Sequence, residues 1–104
     1  MPDEQTAEIL HNTFTIIAAN DAACSMFRCE ESDLLDLDLV GIVADEDMQG
    51  LARLRLNAMR THALHAQDLP LWRPDGSQFY ARVQSYRIDD KTFLSVLAYQ
   101  HEIK

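Results

Sequence analysis

The chain has 104 residues, enough for one compact domain and too few for two, since domains usually run to roughly 100–150 residues. Hydrophobic residues make up 47% and charged residues 25%, ordinary globular proportions that exclude a disordered chain. The net charge of −8, from 17 acidic and 9 basic side chains, would repel a polyanion and speaks against direct nucleic-acid binding.

Residues 1–6 read as a flexible lead into a single domain spanning 1–104. The start is acidic and lacks the basic and apolar regions of a signal peptide, and no apolar run approaches the ~20 residues that cross a bilayer. A cytoplasmic protein without direct membrane contact is expected. Residues 7–11 and 13–19, the latter rich in β-branched and aromatic side chains, predict two strands joined at His11 and Asn12. Asn20 then offers a side-chain cap to a short helix over 21–28, where Ala23, Met26 and Phe27 recur at helical spacing. Cys24 and Cys29 stand five apart, which matches neither Cys-x-x-Cys nor a disulfide framework, so both are expected as thiols.

Residues 30–35 predict a further turn or two of helix with acids near its positive end, anchored by Leu34, Leu35, Leu37, Leu39 and Val40, with a break at Gly41. Glu30, Glu31, Asp33, Asp36, Asp38, Asp45, Glu46 and Asp47 crowd this stretch, and a solvated helical face accounts for them better than a metal site does. Asp47 is placed to cap a longer helix over 48–61, whose apolar stripe would be Leu51, Leu54, Ala58 and, on the flank, Met59. Gly50 weakens its first turn by about 1 kcal/mol relative to Ala.

Three β-like runs follow at 64–73, 78–88 and 92–99, separated by turns at 74–77 and 89–91, which makes two consecutive hairpins. Pro70 has no amide hydrogen to donate, so the first run belongs at a sheet edge. In the second, Phe79, Ala81, Val83 and Ser85 share one face and Tyr80, Arg82, Gln84 and Tyr86 the other. The third carries Leu94, Val96 and Ala98 on one face and Phe93, Leu97 and Tyr99 on the opposite one, so both want cover. With the helices on one side, Phe93, Leu97 and Tyr99, together with Tyr80 and Tyr86, are expected to face outward and meet a flanking helix or the second subunit of a homodimer.

This order resembles the PAS fold, an α+β architecture with a five-stranded antiparallel sheet and short helices packed on one face. Ile17-Ala18-Ala19-Asn20-Asp21-Ala22-Ala23 is similar to the family phrase in which a strand ends at Asn before a short helix. The stretch 36–47, with Leu39, Ile42, Val43 and Asp47, resembles its apolar segment ending in a capping Asp. Arg73-Pro74-Asp75-Gly76-Ser77-Gln78-Phe79-Tyr80 resembles its most recognisable phrase, a tight turn in which Gly takes positive φ and Asp bonds backbone amides. The chain departs from the pattern in three places: Asp36 replaces Gly, Asp45 replaces a frequent Pro, and Glu102-Ile103-Lys104 replaces the closing Asp-Ile-Thr. The resemblance implies a non-catalytic sensor or dimerisation module, with an output domain of kinase or cyclic-dinucleotide enzyme type in the parent chain.

Members of that family hold haem, flavin or small metabolites between sheet and helices, and others hold nothing. Cys24 and Cys29 fall too early for covalent flavin chemistry. Gln100 stands where flavin-binding relatives carry a ring-contacting Gln, with strand parity aiming it inward, but Ala81 replaces their amide. His62 and His65, near the end of the long helix, suit the helix dipole better than a haem iron, and His11 and His101 have no metal-ligand spacing. Haem and flavin are therefore disfavoured, and no cofactor is the leading expectation. What remains is a lining of Met48, Leu54, Ala58, Met59, Leu71, Phe79, Ala81, Val83, Val96 and Ala98, with Ser85 and Gln100 as polar exceptions, which suits either packed core or a small apolar or mixed ligand. Two other readings stay open: a purely structural interaction domain, and a small α+β enzyme with Asp68 or Glu102 as a carboxylate base of raised pKa.

Overall fold

A computed structural model describes residues 6–12, 15–59 and 64–104, so the lead before Thr6, the start of the second strand at 13–14 and His62 lie outside the described residues. Its strands are β1 (Ala7–His11), β2 (Ile16–Ala19), β3 (Leu64–Trp72), β4 (Gln78–Arg87) and β5 (Phe93–Ile103), and its helices α1 (Asp21–Phe27), α2 (Glu31–Leu34) and α3 (Glu46–Ala58). They form one antiparallel sheet in the order β2-β1-β5-β4-β3. The first strand thus lies beside the last, and β5 runs through the middle.

Pro70 sits on edge strand β3, as its missing amide requires. The edge is covered from outside by the segment before α3. Ala44 donates its N–H to the Pro70 carbonyl at 2.7 Å, Trp72 donates to the Ile42 carbonyl at 2.8 Å, and Val43 bridges Leu71.

Local chemistry explains the helix ends. The Asn20 side chain accepts from the Ala23 N–H and the Glu8 N–H and donates to the Thr6 carbonyl, so one residue caps α1 and ties it to β1. At the other end Arg28 takes φ 57°, and its N–H and that of Cys29 return to the Ser25 and Cys24 carbonyls. Glu30 and Asp33 form a capping box on α2. The cap of α3 is Asp45, which accepts from the Met48 N–H at 3.0 Å, in place of the expected Asp47. The helix accordingly starts two residues early, and Met59 is already extended at φ −69°, ψ 133°.

Asp36 stands at φ 71°, a left-handed conformation that a side chain resists, which explains why Gly suits this place better. At Gly50 an added Cβ would meet nothing within 4 Å. Asp36→Gly and Gly50→Ala are each expected to stabilise the fold by about 0.5–1 kcal/mol. Thermal melts should show both midpoints rising; a fall in either would contradict the local geometry.

The helices pack on one face of the sheet over two clusters. The larger includes Ile9, Phe27, Leu34, Phe79, Ala81, Val83 and Leu97, and the smaller joins Val40, Ala52, Leu56 and Met59 to Phe93. Two expected faces are reversed here. Phe93 is 0% and Leu97 2% exposed, both turned toward the helices, whereas Leu94 and Val96 are half-buried and Ala98 exposed on the outer face. The reason is register: Val83 pairs with Leu97 and Ser85 with Ser95, and directly paired residues share a face. Helix α3 likewise buries Ala52 and Leu56, with Met59 buried just past its end, leaving Leu51, Ala58 and a 65% exposed Leu54 in solvent.

Candidate functional site

Between the two clusters the inner face of the sheet and α3 border a partly open cavity of about 20 Å³, which limits a guest to a few heavy atoms. Its walls come from the 39–43 segment, α3, and the inward positions of β1, β3, β4 and β5. Of the residues expected to line a pocket, Met59, Leu71, Val83 and Ser85 do so. Phe79 and Ala81 are buried farther along the sheet, where Phe79 meets the edge of Phe27 at 5.2 Å between ring centroids. Met48 packs half-buried against the larger cluster. Leu54 and Ala58 point away on the solvent side of α3, and Val96 and Ala98 lie on the outer face of the sheet. Gln100 is exposed rather than inward; its amide donates to Asp68, and it occupies a β-bulge of β5 opposite Tyr80 and Ala81.

The polar side of the cavity is a row that runs across three neighbouring strands. His11 Nε2 lies 2.7 Å from Ser95 Oγ, and Ser95 Oγ lies 2.8 Å from Ser85 Oγ. The imidazole also stacks on Phe93 with centroids 5.6 Å apart. Burial in this apolar setting holds the His11 pKa below its ordinary value, opposed by its contact with the Asn12 carbonyl and by the charge of Asp38. On the rim Arg55 donates to Gln67 Oε1 at 3.1 Å. Of these, only Ser85 is among the lining residues expected from the sequence. The missed signal is arithmetic, because a tight turn at 89–91 sets Ser85 opposite Ser95, so an inward Ser85 brings Ser95 inward with it.

A second polar centre closes the far end of β5. Arg73 is buried and donates to both Glu102 carboxylate oxygens at 2.6 and 2.7 Å, to the Met26 carbonyl at 2.9 Å and to Ser77 Oγ at 3.1 Å, with Phe79 under its guanidinium at 4.4 Å. Tyr99 faces inward here, stacked on Phe79 at 6.0 Å and half-exposed, and its hydroxyl donates to Glu102. The Arg73 hydrogen bonds pull the Glu102 pKa down to about 2. Nearby, Gly76 at φ 91° makes the β3–β4 turn, and Asp75 accepts from the Ser77 N–H and hydroxyl.

Neither haem nor flavin fits these residues. The cavity is far below the several hundred Å³ that a large cofactor occupies. His11, the imidazole that lines it, engages the Asn12 carbonyl and Ser95 through its two nitrogens. Cys24 and Cys29 are free thiols around the C-terminus of α1, outside the cavity lining, and burial followed by neighbouring acids raises the pKa of Cys24. Among the described residues no group of three or more His, Cys, Asp or Glu could hold a metal ion.

No family model matches the sequence, and no curated protein does. Solved structures do resemble it. The PAS domain of an HTR-like protein from Haloarcula marismortui superposes with a TM-score of 0.76 at 17% identity, over 97% of this chain and 89% of that one. The PAS domain, in complex with ethanol, of a LuxR-family transcriptional regulator from Burkholderia thailandensis gives 0.74 at 19% identity, over 90% and 88%. The LOV domain of a blue-light activated histidine kinase from Erythrobacter litoralis gives 0.71 at 13% identity, over 92% and 96%.

Proposed function

From the premise that the chain has a PAS fold, we propose that it is a non-catalytic sensory and dimerisation module, a single domain over 1–104, in a larger cytoplasmic signalling protein. The observation that carries this reading is a cavity walled by sheet and α3 with a buried polar row on one side, at the place where a signal could be received. Similar folds serve in a sensor histidine kinase and in a transcriptional regulator, and one of them is in complex with ethanol, a guest of small size. The output domain, of kinase or cyclic-dinucleotide enzyme type, lies in the parent chain.

The partner surface is the outer face of the sheet, redrawn from the expected one. Leu10, Leu94 and Tyr86 are in register across β1, β5 and β4, and Val96 and Tyr80 extend the patch, all half-buried. Oppositely charged Asp68 and Arg82 flank it, which suits a surface that meets a copy of itself. The enzyme reading lacks a carrier, because Asp68 and Glu102 are both ion-paired with lowered pKa values, the reverse of what a general base needs. Among the described residues no helix is long and apolar enough to cross a membrane.

Sedimentation equilibrium of the 104-residue chain should show a dimer, and Leu94→Arg should dissociate it while leaving the circular dichroism unchanged. A monomeric wild type in which native mass spectrometry detects no bound molecule would overturn the proposal.

A further inference from the structure

His11 of β1, Ser95 of β5 and Ser85 of β4 are 1%, 0% and 7% exposed, a row of three buried polar groups on a wall whose other polar members, Arg55 and Gln67, bond each other at the rim. The direction of their hydrogen bonds is set from one end. His11 Nδ1 lies 2.9 Å from the Asn12 carbonyl oxygen, which can only accept, so Nδ1 carries the ring proton. Desolvation keeps the ring neutral, leaving Nε2 an acceptor, and Ser95 must donate to it. With that proton committed, Ser95 can only accept from Ser85. The Ser85 proton is then committed too, and its side chain makes no other hydrogen bond among the described residues. What the row presents to the cavity is therefore the acceptor lone pairs of Ser85 Oγ, with no proton to give.

We propose that the cavity binds a small neutral molecule that brings its own hydroxyl or N–H donor to Ser85 Oγ, in preference to molecules of the same size that only accept. The proposal rests on the cavity being the sensory site. The volume of about 20 Å³ limits the guest to a few heavy atoms, and the wall formed by Leu39, Val40, Val43, Leu56 and Met59 favours an uncharged body. A carboxylate turned toward Ser85 would set its charge against the oxygen lone pairs there, which is costly. Such polarity is a specificity device, because a buried acceptor left without a donor penalises the wrong guest more than a contact rewards the right one.

The test is an NMR titration of the whole chain with three probes: ethanol, which donates; acetonitrile, of equal heavy-atom count, which only accepts; and xenon, which does neither. Ethanol should shift the Ser85 and Ser95 amides saturably and bind about tenfold tighter than acetonitrile, the ratio expected of one hydrogen bond. Ser85→Ala should abolish that preference. Ser95→Ala should narrow it from the other side, since Ser85 regains a proton to donate and acetonitrile binding improves. Equal wild-type affinity for ethanol and acetonitrile, which needs no variant to fold, would overturn the proposal, as would a Ser85→Ala protein with the preference intact. If xenon enters and ethanol gains nothing, the donor rule fails while the cavity remains a binding site. If none of the three moves the cavity amides, the sensory reading of the cavity fails with it.

Discussion

Leu97→Glu is expected to unfold the domain, whereas the same charge placed one residue on, in Ala98→Glu, is expected to leave it folded. Leu97 is 2% exposed in the main cluster, so the substitution removes a packed side chain at about 2–5 kcal/mol and adds the cost of burying a carboxylate without a partner. The sum takes most of a stability that for domains of this size is only ~5–15 kcal/mol. Ala98 is exposed and lies opposite Arg82, where a carboxylate gains an ion-pair partner and changes stability by no more than about 0.5 kcal/mol. Urea unfolding followed by circular dichroism measures both. A stable Leu97→Glu beside an unfolded Ala98→Glu would mean that β5 faces the other way.

Arg73→Met is expected to cost about 2–3 kcal/mol and to lower the thermal midpoint by roughly 10–20 °C. The residue joins three separate pieces: the end of α1 through the Met26 carbonyl, the β3–β4 turn through Ser77, and the end of β5 through Glu102. Methionine keeps much of the volume and loses every one of these bonds. Glu102 sits nearer the surface and can hydrate once released, which keeps the loss below that of a fully buried pair. The acid limb supplies an independent signature. Glu102 titrates at about 2 in the folded chain against an ordinary value of 4.5, so its contribution is complete above 4.5 and is lost as the pH falls toward 2. Wild type should lose stability across that window, and Arg73→Met should lose less of what it has left. An unchanged urea midpoint at neutral pH, or an identical acid limb in both proteins, would show that Arg73 does not hold the strand end. Glu102 reaches the guanidinium with both carboxylate oxygens.

Much of this architecture was legible in the chain itself. Asn20 caps α1, Gly76 makes its turn at positive φ, Pro70 lies on the edge strand, and the two hairpins fall where their polar turns are. These features depend on bonds within a few residues, and side-chain chemistry sets them locally. The cap of α3 slipped by two residues because Asp45 and Asp47 are equally able to accept, and only the path of the 42–44 segment along β3 selects the first.

Which way β5 and α3 face could not be settled residue by residue. Leu94, Val96 and Ala98 make a cleaner apolar alternation than Phe93, Ser95 and Leu97, yet the latter set is buried, because inward Val83 and Ser85 impose their side on the strand paired with them. Ser95 is tolerated inside only because Ser85 and His11 satisfy it there. The chain by itself determined the order of elements, the cap of α1, the turns and the α+β class, since each follows from short-range hydrogen bonding and side-chain shape. Pairing between distant strands decided the facing of β5, the row from His11 to Ser85 and the cavity it borders, because burial is a property of two surfaces in contact and no single strand carries it alone.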